Sequence, residues 1–174
     1  MSFSTIDYLA TGNPKQQEVY RLLQQYAVWD ILLPYTPLLA GTIPIAIDID
    51  TSDLDIICCW QDQTAFIAHI CQHFSHYQHF RIIATQVRQR ETVIANFVLD
   101  GFEIEIFGQN RPSAQQEAFR HLLIEHEILL SRDNDFRQQI IALKQAGWKT
   151  EQAFAHLLGL SGNPYIALLQ YHQP

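Results

Sequence analysis

The stretch AGTIPIAIDIDTSDLDIICCW, residues 40–60, has the apolar composition of a buried strand but carries a dense set of acidic side chains. Isoleucine, alanine and cysteine are frequent in it, yet Asp48, Asp50, Asp53 and Asp55 occur at alternating or near-alternating positions. Isolated carboxylates are costly to bury. The stretch therefore raises the question of what these carboxylates hold.

The run Leu54–Cys59 is rich in residues that favour β-structure and predicts a central strand. Asp53 and Asp55 are two positions apart, so on a strand they project from one face, while Leu54 and Ile56 project into the core. Two adjacent carboxylates repel and raise each other's pKa, and a divalent cation between them relieves the repulsion. Mg²⁺ prefers such hard oxygen ligands together with substrate phosphates. The pattern predicts a strand with one metal-binding face, the alternative being a solvent-facing strand end.

A second strand repeats this geometry. Residues 102–107 alternate strictly and place Glu103 and Glu105 on one face. If this strand lies next to the strand of Asp53 and Asp55, one of the two glutamates supplies a third carboxylate, and alternation alone does not choose between them. Three such groups can clamp metal ions for in-line phosphoryl transfer.

Gly41-Thr42 follows a short apolar strand and forms a candidate phosphate turn. A glycine lets backbone N–H groups approach a phosphate closely, and the Thr42 hydroxyl can add a donor. The alternating isoleucines of residues 43–49 predict a strand or hairpin after the turn. Ser52 is a candidate phosphate or metal-shell donor, or an ordinary turn residue.

The order of these motifs resembles a known signature. A small hydrophobic residue, Gly41-Thr42, ten residues and then DLDI (residues 53–56) look like the nucleotidyltransferase superfamily, which has the DNA polymerase β-like fold. The wider stretches EIEIFGQ, AFRHLLIEHEILL and GWKTEQAFAHLLGLSGNPYIALL are similar to an uncharacterised bacterial family of that superfamily. This second resemblance covers nearly the whole chain.

The resemblance implies roles for particular residues. Gly41 and Thr42 would hold the triphosphate of a nucleoside triphosphate, and Asp53 and Asp55 would bind the catalytic metal, Mg²⁺ or Mn²⁺. Glu105 would complete the metal site and help to deprotonate an acceptor hydroxyl. We favour it over the other glutamate because EIFG is the more recognisable part of the resemblance.

The remaining pattern predicts an α/β (α+β) fold, a small mixed β-sheet flanked by helices. A helix begins at Asn13-Pro14 and extends to about Trp29, and Asp100-Gly101 is a strong hairpin signal. Further predicted elements are a helix at 65–74, strands at 80–87 and 92–99, and helices from Ser113 onward. We expect a nucleotidyltransferase-like core at residues 1–110 and a C-terminal helical extension at 111–174 packed on it.

Two basic residues of the helical extension are candidate phosphate ligands. Arg120 could contact a phosphate or carboxylate in the cleft, or form a surface salt bridge with Glu117 or Glu127. Lys149 could extend back to the phosphates, next to Thr150 as a helix N-cap.

Aromatic and imidazole side chains give weaker signals. His69, His73 and His76 share a helix face and could bind a transition metal or form a polar flank. The three tryptophans could stack a base or belong to the core.

The composition limits the environment and the partners. The chain of 174 residues has a net charge of −7, and its three cysteines lack paired metal-ligand spacing. It has no run of ~20 apolar residues and no signal-peptide pattern at its start. These features predict a cytoplasmic protein that binds neither a membrane nor nucleic acid.

The sequence thus predicts a metal-dependent nucleotidyltransferase that uses a nucleoside triphosphate and an unknown small-molecule or protein acceptor. The alternative is a degraded member that binds nucleotide or protein without turnover, and a third hypothesis is an antitoxin-like partner protein.

Overall fold

The computed structural model describes residues 3–171. Its α-helices are α1 (Pro14–Gln25), α2 (Val28–Leu32), α3 (Gln63–Phe74), α4 (Glu117–Ser131), α5 (Asn134–Gln145), α6 (Thr150–Leu157) and α7 (Pro164–Leu169). Its strands are β1 (Leu38–Leu39), β2 (Leu54–Cys59), β3 (Gln78–Val87), β4 (Arg90–Leu99) and β5 (Phe102–Gln109). The fold is therefore α+β, as predicted.

The five strands form one mixed sheet in the order β1-β2-β5-β4-β3. Strands β2 and β5 are parallel, and every other neighbouring pair is antiparallel. The two-residue turn at Asp100 and Gly101 joins β4 to β5, and both residues have positive φ (46° and 84°). This is the conformation that hairpin turns of this length require, so the predicted hairpin is confirmed.

The sheet has a hydrophobic cluster on each face. Leu54, Ile56 and Ile106 belong to one cluster with the buried side chains of α1, α2 and α3. Ile57 belongs to the other cluster, which includes buried side chains of α4, α5, α6 and α7, and Phe107 packs against it. Because successive side chains on a strand alternate, Asp55 and Glu105 lie on this second face, beneath the C-terminal helices.

The first helix is shorter than predicted. It ends at Gln25 instead of continuing to about Trp29, because Ala27 takes a left-handed conformation (φ 50°) that interrupts the helix before α2. The predicted start is correct, since Asn13 caps the helix and Pro14 follows at its first position.

The predicted strand or hairpin at residues 43–49 is wrong. Ile43–Ile45 form a single turn of 3₁₀-helix, followed by Ala46 in a left-handed conformation (φ 56°). The alternating isoleucines Ile43, Ile45 and Ile47 are buried against helices, and the segment does not pair with a strand.

Side chains replace the missing strand partner of this segment. Gln16 Nε2 donates to the carbonyls of Ile43 and Pro44, at 2.9 and 3.1 Å. Arg137 donates to the Ile45 and Ala46 carbonyls from α5. Buried backbone carbonyls need partners, and long polar side chains supply them here.

Two smaller predictions also need correction. The strand predicted from the alternation of residues 102–107 continues to Gln109. Lys149 occupies the N-cap position of α6, and Thr150 is the first helical residue. Within residues 3–171, none of the helices has the length and apolar character needed to cross a membrane.

Candidate functional site

The parallel pairing of β2 and β5 brings two predicted carboxylates side by side. Asp55 pairs with Glu105 in the register of the sheet. Asp53 is exposed and directly precedes β2, whereas Asp55 and Glu105 are half-buried. The adjacency that the sequence suggested only conditionally is therefore present. Glu103 is exposed on the same strand, next to Val98 of β4.

The glycine turn packs directly on this pair. Gly41 has φ +73°, and a Cβ atom placed there would collide with Oδ2 of Asp55. The Ala40 N–H donates to the Asp55 carbonyl at 2.8 Å, which fixes the turn against β2. Only glycine fits this position, because both the backbone conformation and the close approach exclude a larger residue.

The two predicted hydroxyl donors lie together beside the turn. Thr42 Oγ1 and Ser52 Oγ are 3.2 Å apart, and the Ile49 N–H donates to Ser52 Oγ at 2.9 Å. Ser52 therefore has the structural role of closing the loop, and its hydroxyl also reaches the cavity described next.

Six of the predicted residues, Gly41, Thr42, Ser52, Asp53, Asp55 and Glu105, line one cavity of about 480 Å³. We call it the carboxylate cavity. Lys149 lines it as well, and its charge opposes the rise in the pKa of Glu105 that burial causes. The cavity has the volume of a small-molecule site.

Burial and nearby negative charge raise the pKa of the two paired carboxyls, Asp55 and Glu105. Burial, followed by the charges of Asp53 and Glu105, raises the pKa of Asp55 to about 7. Burial also raises the pKa of Glu105, against a hydrogen bond at 3.3 Å from the Asn96 amide. A cation between these groups would relieve the repulsion.

The sequence interpretation missed two buried charged residues of this cavity. Lys144 donates to the Ile47 carbonyl at 2.8 Å, and burial lowers its pKa to about 8. Glu125 is 4 % exposed, and burial raises its pKa to about 8. A signal was present, because Glu125 interrupts the apolar stripe formed by Leu122 and Ile128 on α4.

Arg120 is not brought into the carboxylate cavity. It is exposed on α4 and forms no ion pair with Glu117 or Glu127. Its charge nevertheless lies close enough to Arg111 to contribute to lowering the pKa of that guanidinium.

The histidines of α3 have other partners. His69 is 2.8 Å from the Ile31 carbonyl, and its ring lies 4.6 Å from that of His73. Of the tryptophans, Trp148 lines the carboxylate cavity, whereas Trp29 and Trp60 are buried in the core.

The donor set fits a hard cation shared with a ligand. In the part of the chain that the structure describes, no three His, Cys, Asp or Glu side chains converge tightly enough to hold a metal unaided. Mg²⁺ usually takes only one or two carboxylates and completes its shell with water and substrate phosphates. Carboxylates such as Asp55 and Glu105, in a cavity that also has the Gly41 turn on its wall, are compatible with that coordination.

Solved structures with a similar fold are nucleotidyltransferase-fold proteins. A structure of the GLD-2/RNP-8 complex has a TM-score of 0.55 at 12% identity and covers 91% of this chain and 65% of its own. Cid1, an RNA terminal uridylyl transferase, has a TM-score of 0.54 at 12% identity, covering 80% and 45%. The polymerase core of TRAMP, an RNA surveillance complex, has a TM-score of 0.52 at 14% identity, covering 93% and 51%.

The chain thus spans between about half and two thirds of the length of these structures. At these identities the similarity establishes the fold alone. No curated protein sequence matches the chain. A family model described as "Domain of unknown function (DUF4269)" matches residues 21–171. The chain therefore belongs to the DUF4269 family and has the nucleotidyltransferase fold.

Proposed function

We propose that this protein is a metal-dependent nucleotidyltransferase that transfers a nucleotidyl group from a nucleoside triphosphate to a hydroxyl or phosphate acceptor. The observation that supports this most is the pairing of Asp55 with Glu105, with Gly41 packed against Asp55. This arrangement puts a backbone suited to phosphate next to carboxylates that need a cation.

Each group has a distinct task in the proposed reaction. Gly41 and Thr42 bind the triphosphate, and Asp53, Asp55 and Glu105 would hold Mg²⁺ or Mn²⁺, with Glu105 also serving as the base. A bound cation would neutralise phosphate charge and polarise the α-phosphate. Glu105 accepts the proton of an acceptor hydroxyl, whose oxygen forms a bond to the α-phosphorus. The bond from the α-phosphorus to the bridging oxygen breaks, and pyrophosphate leaves.

Lys149 assists from the start of α6. It lines the carboxylate cavity, near Glu105, and its ammonium group can pair with the phosphate oxygens. Ser52, which also lines the cavity, adds a hydroxyl. Catalysis then depends on positioning and on charge neutralisation.

The acceptor is the least defined partner. The net charge of −7 predicted that the protein does not bind nucleic acid. However, two of the similar structures are an RNA terminal uridylyl transferase and the polymerase core of an RNA surveillance complex. The overall charge therefore does not exclude an RNA acceptor here. We keep a small molecule, a protein or RNA as acceptor classes of the proposed enzyme.

Pyrophosphate release tests the proposal. The wild-type chain is incubated with Mg²⁺, each of ATP, GTP, CTP and UTP, and panels of candidate acceptors. We expect release with at least one pair and a loss of at least 100-fold in Asp53→Asn. Asp50→Asn is the matched control, because Asp50 is exposed and does not line the carboxylate cavity.

A nucleotide-binding module without turnover is the second candidate. Two observations favour it: the glycine turn leads into one 3₁₀ turn instead of an α-helix, and no three ligands converge among residues 3–171. Such a module would be stabilised by a triphosphate with Mg²⁺ in a thermal-shift assay. It would release no pyrophosphate with any triphosphate and acceptor.

A further inference from the structure

A second cavity, of about 430 Å³, continues from the carboxylate cavity along the same face of the sheet. Its floor consists of alternate residues of the two parallel strands: Asp55 and Ile57 of β2, and Glu105, Phe107 and Gln109 of β5. We call it the arginine trough. It shares Asp55 and Glu105 with the carboxylate cavity, so a ligand in it would reach the same carboxylates.

Arginines line the far end of the trough. Arg88, Arg90 and Arg111 all contribute to its wall. Arg88 is neutralised by an ion pair with Glu117. Arg90 and Arg111 form no ion pair with any residue that the structure describes.

The unpaired arginines also repel one another. Partial burial and the charges of Arg90 and Arg120 lower the pKa of Arg111. Guanidinium groups bind phosphate and carboxylate groups through paired N–H donors. An anion at this end would relieve the repulsion and pair with guanidinium groups that form no ion pair among the described residues.

A buried glutamine beside the trough has one side-chain atom without a hydrogen-bond partner. Gln116 is 1 % exposed, and its Nε2 donates to the carbonyls of Cys58 and Arg111, at 2.8 and 3.1 Å. Because both partners are acceptors, the amide orientation is fixed. Its Oε1 is buried without a hydrogen-bond partner among the described residues. Such a group is costly unless a ligand or water donates to it.

The two ends of the trough have opposite charge. Glu105 and Gln109 are four residues apart on β5, which corresponds to about 13 Å. The unpaired arginines lie beyond Gln109. Arg111 follows Gln109 by two residues in the chain. Arg90 precedes Thr92 on β4, and Thr92 is the residue that pairs with Gln109. Ile57 and Phe107 form an apolar floor between the two ends.

We propose that the arginine trough is the acceptor subsite, and that the acceptor is a small molecule with a phosphate or carboxylate at one end and a hydroxyl at the other. The anion binds Arg90 and Arg111. The reacting hydroxyl lies at Glu105, which takes its proton while the oxygen forms the bond to the α-phosphorus and pyrophosphate leaves. This inference rests on the proposed function.

Calorimetric binding to the full chain tests the subsite. The probes are glucose 6-phosphate, gluconate and uncharged glucose, each without nucleotide. We expect one or both anionic probes to bind and glucose to bind at least ten-fold more weakly. The double variant Arg90→Gln/Arg111→Gln should bind the anionic probe at least ten-fold more weakly than the wild type does. Arg21→Gln, an exposed arginine of α1, is the matched control and should leave binding unchanged.

Binding of ATP with Mg²⁺ to the same variants separates this inference from the proposed function. If neither anionic probe binds, or if the double variant binds them as the wild type does, the acceptor subsite is wrong even where pyrophosphate release succeeds. If the double variant no longer binds ATP with Mg²⁺, the trough holds the triphosphate, and the inference is overturned. Arginine-dependent probe binding without pyrophosphate release would support the anion site and contradict the transferase.

Discussion

At the scale of single residues, one glycine and a few charged side chains define the site. Gly41 allows the turn to approach Asp55, and the sequence identified both through their spacing. The sequence could not establish that Lys144 and Glu125 approach the same cavity, because that depends on how α4 and α5 pack on the sheet. It also could not foresee the trough, whose arginines come from a hairpin and a distant loop.

Gly41→Ala should destabilise the protein and weaken nucleotide binding. The positive φ alone costs an alanine roughly 1–2 kcal/mol, and the collision with Asp55 adds to this. Gly147→Ala is the control, because Gly147 also has positive φ (+92°) but no atom within 4 Å of an added Cβ. Urea denaturation should show a larger loss for Gly41→Ala. Equal losses would mean that Asp55 does not press on the turn.

Glu125 should make stability decrease as the pH rises. Burial raises its folded-state pKa from 4.5 to about 8. The folded state thus keeps a proton that the unfolded state loses. The stabilising effect of this proton is complete below pH 4.5 and is lost progressively between pH 4.5 and pH 8. Over that range the free energy of unfolding decreases by up to about 1.4 kcal/mol per pH unit.

Glu125→Gln should flatten this dependence, measured by urea denaturation at intervals between pH 5 and 8. Glu127→Gln, an exposed position on the same helix, should keep the wild-type slope. An unchanged slope in Glu125→Gln would show that this carboxyl titrates normally in the folded protein.

At the scale of elements, periodicity predicted what is regular and failed where side chains replace strand partners. The strand Leu54–Cys59, the Asp100-Gly101 hairpin and the helices after residue 113 are confirmed because their patterns match their periods. Residues 43–49 alternate like a strand but are held by Gln16 and Arg137. No local pattern reveals such long-range hydrogen bonds.

Gln16→Ala should therefore destabilise the segment after the glycine turn. It leaves the Pro44 carbonyl without its donor and removes one of the two donors to the Ile43 carbonyl, which keeps the Ala46 N–H, at a cost of about 1–3 kcal/mol. Gln17→Ala is the control, because Gln17 is exposed on the same helix. Urea denaturation should give a lower free energy of unfolding for Gln16→Ala than for Gln17→Ala. Equal free energies of unfolding would show that Gln16 does not stabilise this segment.

At the scale of the whole molecule, the C-terminal helices cover the face of the sheet that carries the site. The second hydrophobic cluster joins Ile57 of β2 to Phe119, Leu122 and Phe154 of the helices. The division into a core of residues 1–110 and an extension of residues 111–174 remains a prediction about sequence organisation. The packing suggests that the two parts do not fold independently.

A fragment of residues 1–110 should fail to fold cooperatively. Removing the helices exposes the buried side chains of the second cluster, each worth about 1.5–3 kcal/mol of burial. Circular dichroism and thermal unfolding, with the full chain as control, would check this. A cooperative transition in the fragment would show that the core is an independent domain.

The central claim is that Asp53, Asp55 and Glu105 share one metal ion with a triphosphate. Electron paramagnetic resonance of Mn²⁺, titrated with a non-hydrolysable ATP analogue, tests it most directly. We predict bound Mn²⁺ in the wild type and in Glu103→Gln, and at least ten-fold weaker binding in Asp55→Asn and in Glu105→Gln. Equal Mn²⁺ binding in all four proteins would contradict the claim.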